Sequence, residues 1–239
     1  MSYRFVKNEN VVYVKDISSI VIGDIHFGIE YEYRKKGIHI PDYYTNLADR
    51  LNMLIDKFSV DTLVFLGDIK HDIGDIPMFL ENKIKNFFSS LKANVIHCIK
   101  GNHDGGLEKI LSGIDKIKMH SSRGFSLNEY GFFHGNSWPL PRVVSSKIAF
   151  CSHLHPKLKL PSDSKKFEKD VFIVCKPNKK LLKTKYERVE LKEIVVLPPI
   201  NNYVGGIEFH EWGGILKKMC DFSSSEIYSS DGHFIGSLE

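Results

Sequence analysis

The chain has 239 residues, 42% of them hydrophobic and 26% charged, with a formal net charge of +4. That is ordinary globular composition with enough apolar material for one sizeable α/β domain, and no repeat, low-complexity tract or Pro/Gly-rich linker divides 1–239. No run of 18 apolar residues is present to cross a membrane, and Met1 to Asn10 lacks the apolar stretch of a signal peptide. The four cysteines (Cys98, Cys151, Cys175 and Cys220) form no CxxC pair, which argues against a disulfide framework or a zinc–thiolate site. Reduced thiols in a cytoplasm are expected.

Strand-like apolar runs recur along the chain, and most end in polar residues. Ser19–Gly23 ends in Asp24 and Thr62–Leu66 in Gly67-Asp68. Asn94–Ile99 precedes Gly101-Asn102-His103-Asp104. Tyr130–Phe133 ends in His134, and Lys147–Cys151 leads into Ser152-His153. Val171–Cys175 and Ile194–Leu197 follow. Short runs bounded by turn residues predict buried strands. Between the first three, Tyr43–Phe58 and Met78–Leu91 carry apolar residues at helical spacing. Alternating strands and helices predict an α/β sheet, and the strand-dense second half predicts a second sheet packed on the first.

Asp24-x-His26, Gly67-Asp68, Gly101-Asn102-His103-Asp104, His134-Gly135 and His153-x-His155 each follow a predicted strand. Residues just beyond the carboxyl ends of strands in an open α/β sheet converge on one crevice. Carboxylate oxygens and imidazole nitrogens without cysteine suit manganese, iron or zinc. In an extended segment, residues two apart point the same way, so Asp24 and His26, or His153 and His155, would share one ion. A carboxylate such as Asp68 can bridge two cations. Taken singly, each cluster is as well explained by a turn or a capped strand end; it is the five together, in this order, that point to a metal site.

These residues resemble the calcineurin-like metallophosphoesterases, whose pattern is D-x-H, G-D, G-N-H-D/E, H and G-H-x-H. The wording of Gly23-Asp24-Ile25-His26-Phe27-Gly28, Leu66-Gly67-Asp68-Ile69-Lys70-His71 and Gly101-Asn102-His103-Asp104 is similar to the DNA ligase-associated phosphoesterase branch. So are His155-Pro156 and Leu197-Pro198-Pro199-Ile200-Asn201 followed by Gly205-Gly206. The resemblance implies a four-layer α/β sandwich of two mixed β-sheets flanked by helices. It implies two divalent cations, manganese foremost, with iron, zinc or nickel as alternatives. Asp24, His26 and His155 would hold the first cation, Asn102, His134 and His153 the second, and Asp68 would bridge them. One position departs from the pattern: Ser152 stands where Gly usually precedes His153, and a backbone that needs Gly there would lower metal occupancy.

The implied chemistry is hydrolysis of a phosphate ester, a phosphodiester first, by attack of a hydroxide bridged between the two metals. His103 is the candidate general acid, with Asp104 orienting it, and Asn102 a candidate donor to a phosphate oxygen. Lys70 and His71 are within reach of a substrate phosphate or sit in an exposed turn, and Ile29–Asp42 would rim the cleft or form a solvated loop. His97, His120, His210 and His233 read as structural or surface residues. Lys157–Lys192 holds 12 Lys or Arg against 5 Asp or Glu. It is either a solvated excursion or a patch for a nucleotide or nucleic-acid partner. The alternatives are a DNA or RNA nuclease of the same superfamily and, from another class, a non-catalytic interaction scaffold. No membrane partner is expected, and the oligomeric state is left open.

Overall fold

The computed structural model describes residues 3–41, 43–160, 167–208 and 211–238. The first sheet contains β1 (Tyr3–Val6), β2 (Val11–Val14), β3 (Ser19–Ile22), β4 (Thr62–Phe65), β5 (Val95–Ile99) and β6 (Ile117–His120), ordered as numbered. β1, β2 and β3 pair antiparallel, and β3 to β6 pair parallel. Helices α1 (Ile29–Lys35), α2 (Tyr44–Phe58), α3 (Met78–Ser90) and α4 (Leu107–Ile110) lie in the crossovers.

The second sheet draws on β7 (Phe125–Leu127), β8 (Tyr130–Phe132), β9 (Ile148–Cys151), β10 (Lys157–Leu160), β11 (Phe167–Pro177), β12 (Glu193–Val196), β13 (Cys220–Ser229) and β14 (Phe234–Ser237). Their order is β14-β13-β11-β12-β9-β8-β7, with β10 paired to β11. β8, β9 and β12 are mutually parallel and the other pairs antiparallel, so this sheet is mixed as well. Short helices α5 (Pro141–Val144), α6 (Lys179–Leu182) and α7 (Gly214–Met219) cover its outer side.

Period-two alternation builds the layers. Ile20, Ile22, Leu63 and Phe65 face Leu47, Leu51, Ile84 and Phe88 of the helices, while Val21 and Val64 point to the other side. There they meet Phe132, Phe150, Phe172 and Val195 of the second sheet. Ala149, Cys151, Ile173 and Val196 continue outward onto Val143, Trp212 and Leu216. The fold is thus helix, sheet, sheet, helix, an α/β sandwich as expected. Helix α2 buries Leu47, Leu51, Leu54 and Ile55, a stripe at helical spacing, each such side chain contributing roughly 1.5–3 kcal/mol. It stops at Ser59, whose left-handed backbone (φ 51°) turns its N–H back to the Ile55 carbonyl. The four cysteines are free and buried. Among the described residues, no helix is long and apolar enough to cross a membrane.

Candidate metal centre and active site

The loops after β3, β4, β5, β8 and β9 meet at one end of the sandwich. They bring Asp24, His26, Asp68, Asn102, His134, His153 and His155 together, with His103 beside them. Around Asp24, the Oδ2 lies 2.9 Å from His155 Nε2, and His155 Nε2 lies 3.4 Å from His26 Nε2. Asp68 Oδ2 is 3.9 Å from His26 Nε2 on one side and 3.4 Å from His134 Nε2 on the other. His134 Nε2 in turn lies 3.2 Å from Asn102 Oδ1. One donor atom each from Asp68, His134 and His153 fits within a 4.8 Å sphere of mutual distances. Asp68 therefore stands between two groups of donors.

The expected route to this convergence needs correction. Asp24-x-His26 and His153-x-His155 are not extended segments with side chains in phase. His26, His153 and His155 have φ of 55°, 75° and 44°, and Asp68 has φ 45°. Each chain leaves its strand and turns through left-handed backbone, which aims the side chains inward. Such conformations cost non-glycine residues about 1–3 kcal/mol apiece and gather where function demands them.

The supports are backbone atoms that sequence does not display. His134 Nδ1–H donates to the Leu66 carbonyl and His155 Nδ1–H to the Gly205 carbonyl, both at 3.0 Å. Those bonds place the Nε2 lone pairs inward. His103 N–H donates to Asp68 Oδ1 at 3.0 Å. The Asn201 amide donates to the Ile25 carbonyl at 2.8 Å, and Ile200 N–H to the Asp24 carbonyl at 3.0 Å. The Leu197–Asn201 segment thus buttresses the Asp24 loop. A Cβ on Gly101 would sit 2.0 Å from Asp68 Oδ1, so only glycine fits beside the central carboxylate.

Ser152 resolves the one irregularity. It is fully buried, its backbone is not left-handed, and its hydroxyl donates to Asp24 Oδ1 at 2.9 Å while His153 N–H donates to Oδ2 at the same distance. The serine is accommodated and adds a hydrogen bond to a candidate ligand.

The electrostatics ask for positive charge. Asp24 and Asp68 are 0% and 2% exposed, and the ion-pair partners of both are histidines. Burial works against the ionised form of Asp24, but His155, His134 and His26 outweigh it and hold the pKa below the carboxylate range. Burial likewise disfavours a charged His134, yet Asp68 and Asp24 push it up to about 9. Burial drives His26 down to about 3 and also lowers His153. A buried carboxylate pair needs compensating cations, and inward lone pairs of oxygen and nitrogen are the donor set that divalent transition metals take.

Three expectations about neighbours change. Asp104 does not orient His103. Its Oδ1 accepts from Lys70 N–H at 2.9 Å and its Oδ2 from Gly101 N–H at 2.8 Å, so it clamps the two glycine-bearing loops to each other. His103 instead gives its Nδ1 to the His71 carbonyl. Burial raises Asp104 to about 6 against those two bonds. Lys70 is 1% exposed and its ammonium donates to the Gly74 carbonyl at 3.0 Å, away from the phosphate-contact role considered for it. His71 lies between His26 and Glu32, a residue inside Ile29–Asp42 that no motif singled out. His97 and His120 are structural as expected, bonded at 2.8 Å and stacked on Phe125. His210 lies outside the described residues.

The basic stretch divides. Lys157 pairs with Glu168 and Asp170 across the β10–β11 hairpin, and Lys159 with Glu208. Lys165 and Lys166 lie outside the described residues. Lys179, Lys180 and Lys183 are exposed without ion-pair partners among the described residues, as are Lys217 and Lys218 on α7. α7 packs its Leu216 against Gly135, next to His134.

Comparison with a solved nuclease structure agrees with this architecture. A nuclease of Pseudomonas putida, called MPE, superposes with a TM-score of 0.60 at 17% identity, covering 94% of this chain and 90% of that one. A "predicted phosphoesterase" of Streptococcus pneumoniae aligns over 92% and 93% of the two chains at 12% identity with a TM-score of 0.33. No curated protein gives a significant match. The sequence model for the calcineurin-like phosphoesterases matches residues 17–222. With the match spanning every motif from Asp24 to His155, the chain belongs to the calcineurin-like phosphoesterase family.

Proposed function

We propose that the chain is a metal-dependent phosphodiesterase. The observation that carries this reading is the pair of buried carboxylates, Asp24 and Asp68, whose ion-pair partners among the described residues are histidines, within a ring of inward-facing donors. Asp24, His26 and His155 would hold one divalent cation, Asn102, His134 and His153 a second, and Asp68 would be shared between them. Manganese heads the candidates for this nitrogen–oxygen set, followed by iron, zinc and nickel. The chemistry that two such cations would supply is Lewis acidity toward the phosphoryl oxygens and a lowered pKa for a bound water.

The chain's own groups do the rest. Asn102 is exposed and able to turn its amide toward a phosphate oxygen. His103 keeps its Nδ1–H on the His71 carbonyl, which leaves Nε2 as the nitrogen that protonates the departing oxygen. Replacement of His103 by Ala is expected to cut turnover sharply on alkyl esters with poor leaving groups and little on p-nitrophenyl esters. An equal loss on both removes His103 from the acid role.

A second reading, nuclease, is favoured by one observation: α7, whose Lys217 and Lys218 are exposed without ion-pair partners among the described residues, packs Leu216 against Gly135, next to His134. The deciding assay uses metal-stripped protein with manganese, nickel, zinc or magnesium restored. The substrates are bis-p-nitrophenyl phosphate, p-nitrophenyl phosphate, 2′,3′-cyclic nucleotides and single- and double-stranded DNA. Cleavage of bis-p-nitrophenyl phosphate that disappears in Asp68→Asn supports the phosphodiesterase. Cleavage of DNA alone, with binding that weakens steeply with salt, selects the nuclease. Inactivity with every metal leaves the interaction scaffold.

A further inference from the structure

We propose that Glu32 and His71 form an outer hydrogen-bonded chain that fixes the ring of His26 and so sets the affinity of the first half-site for its cation. The inference rests on the reading of Asp24, His26 and His155 as one half-site, and neither Glu32 nor His71 belongs to that set.

His134 and His155 hand their Nδ1–H groups to backbone carbonyls, which fixes their tautomers. Among the described residues, His26 has no carbonyl in that position. Its Nδ1 lies 3.3 Å from His71 Nδ1, and His71 Nε2 lies 2.6 Å from Glu32 Oε2. Two neutral imidazoles facing each other through Nδ1 admit two proton arrangements. In the first, His26 donates to His71, and His71 donates from Nε2 to the carboxylate. His26 Nε2 then carries a lone pair directed at the half-site. In the second, His71 donates to His26, and the His26 proton moves to Nε2, 3.4 Å from His155 Nε2. That arrangement also sets a His71 lone pair against the Glu32 carboxylate. Glu32 accepts and never donates when ionised, so it selects the first arrangement. The carboxylate thus imposes, through His71, the tautomer a ligand needs, as carboxylates behind metal-binding histidines do.

The rest of the local structure holds the chain in place. His71 N–H donates to the Phe27 carbonyl at 2.9 Å, tying the loop after β4 to the loop after β3. Both ring nitrogens of His71 are engaged, so it is not a spare ligand. Lys36, one turn along from Glu32, binds its Oε1 at 2.5 Å and leaves Oε2 to His71.

The test is titration of the metal-stripped protein with manganese(II) chloride, free ion read by electron paramagnetic resonance and stepwise affinities by calorimetry. Glu32→Ala and His71→Ala should each weaken one of the two sites about tenfold or more, the usual effect of removing such a partner. The other site should be unchanged. Glu32→Gln, whose amide oxygen still accepts, should restore most of the affinity. Glu32 is about half exposed, so its variants test the idea even where His71→Ala fails to fold. Wild-type affinity in Glu32→Ala, or an equal loss at both sites, overturns the proposal. Asp24→Asn separates the two levels: if it leaves manganese binding intact, the half-site reading itself is wrong. If it abolishes one site while Glu32→Ala does not weaken it, only the outer chain is wrong.

Discussion

Asp104→Ala discriminates between two tasks for one buried carboxylate. As a clamp, Asp104 satisfies Gly101 N–H at 2.8 Å and Lys70 N–H at 2.9 Å from a position with no solvent exposure. Removing it leaves two donors unmet, the buried Lys70 N–H and the part-buried Gly101 N–H, at roughly 1–3 kcal/mol each. The desolvation that lifts Asp104 to about 6 is relieved at the same time and offsets part of this. The expected net loss is about 2–4 kcal/mol, or roughly 5–15 °C in melting temperature for a domain of this size. Asp104→Asn should recover little, because its amide presents one acceptor and one donor to two donors. Urea unfolding of the metal-stripped protein at pH 7.5 gives the stability, and turnover on substrates with good and poor leaving groups gives the chemistry. Since Gly101 borders Asp68, activity should fall on both substrate types alike. A variant as stable as wild type within ~0.5 kcal/mol, and slowed only on poor leaving groups, would refute the clamp and return Asp104 to His103.

Gly101→Ala drives a Cβ to 2.0 Å from Asp68 Oδ1 and 2.4 Å from Asp68 N, and neither atom can yield without moving the central carboxylate. Overpacking of about 1–3 kcal/mol and loss of manganese binding are expected, whereas Gly74→Ala, with open space around it, should be silent in both assays. Ser152→Ala removes a buried donor to a carboxylate and should cost roughly 1.5–3 kcal/mol in denaturant unfolding. Ser152→Gly, the residue usual at that place in the resembling pattern, should fare no better; wild-type stability in both variants would show the hydroxyl idle. His97 and His120 are held down to about 4, His97 by burial and then His120 and Lys118, His120 by burial and then Arg142 and Lys118. Unfolded, each takes a proton near pH 6.5. Their contribution is therefore complete above that pH and is lost as pH falls from about 6.5 toward 4. The melting temperature of wild type should drop more over that window than that of a His97→Leu/His120→Leu variant, and parallel curves would remove the pair from the acid response.

What was legible in the sequence follows from how each segment is buried. β3, β4, β5 and β9 are covered on both faces, so they read as short continuous apolar runs, and α2 shows its stripe because only one side meets the sheet. β13 escaped notice because Cys220–Ser229 carries three consecutive serines, Ser223 to Ser225, and no apolar run, and its pairing to β11 is fixed by partners some 50 residues away. The candidate ligands were visible as side-chain types; what holds them was not. Leu66 O, Gly205 O and the two N–H groups on Asp104 are backbone atoms, which every residue has. The local argument for pairing Asp24 with His26 rested on an extended strand, and the backbone at His26 is left-handed instead. The same is true at Asp68, His153 and His155, so four of the seven candidate ligands sit in conformations that cost about 1–3 kcal/mol each. A chain selected for stability alone would place Gly or Asn at such positions. Carrying three histidines and an aspartate there instead trades stability for converging donors, and the buried layers on both sides of the two sheets are what keep the loops from relaxing.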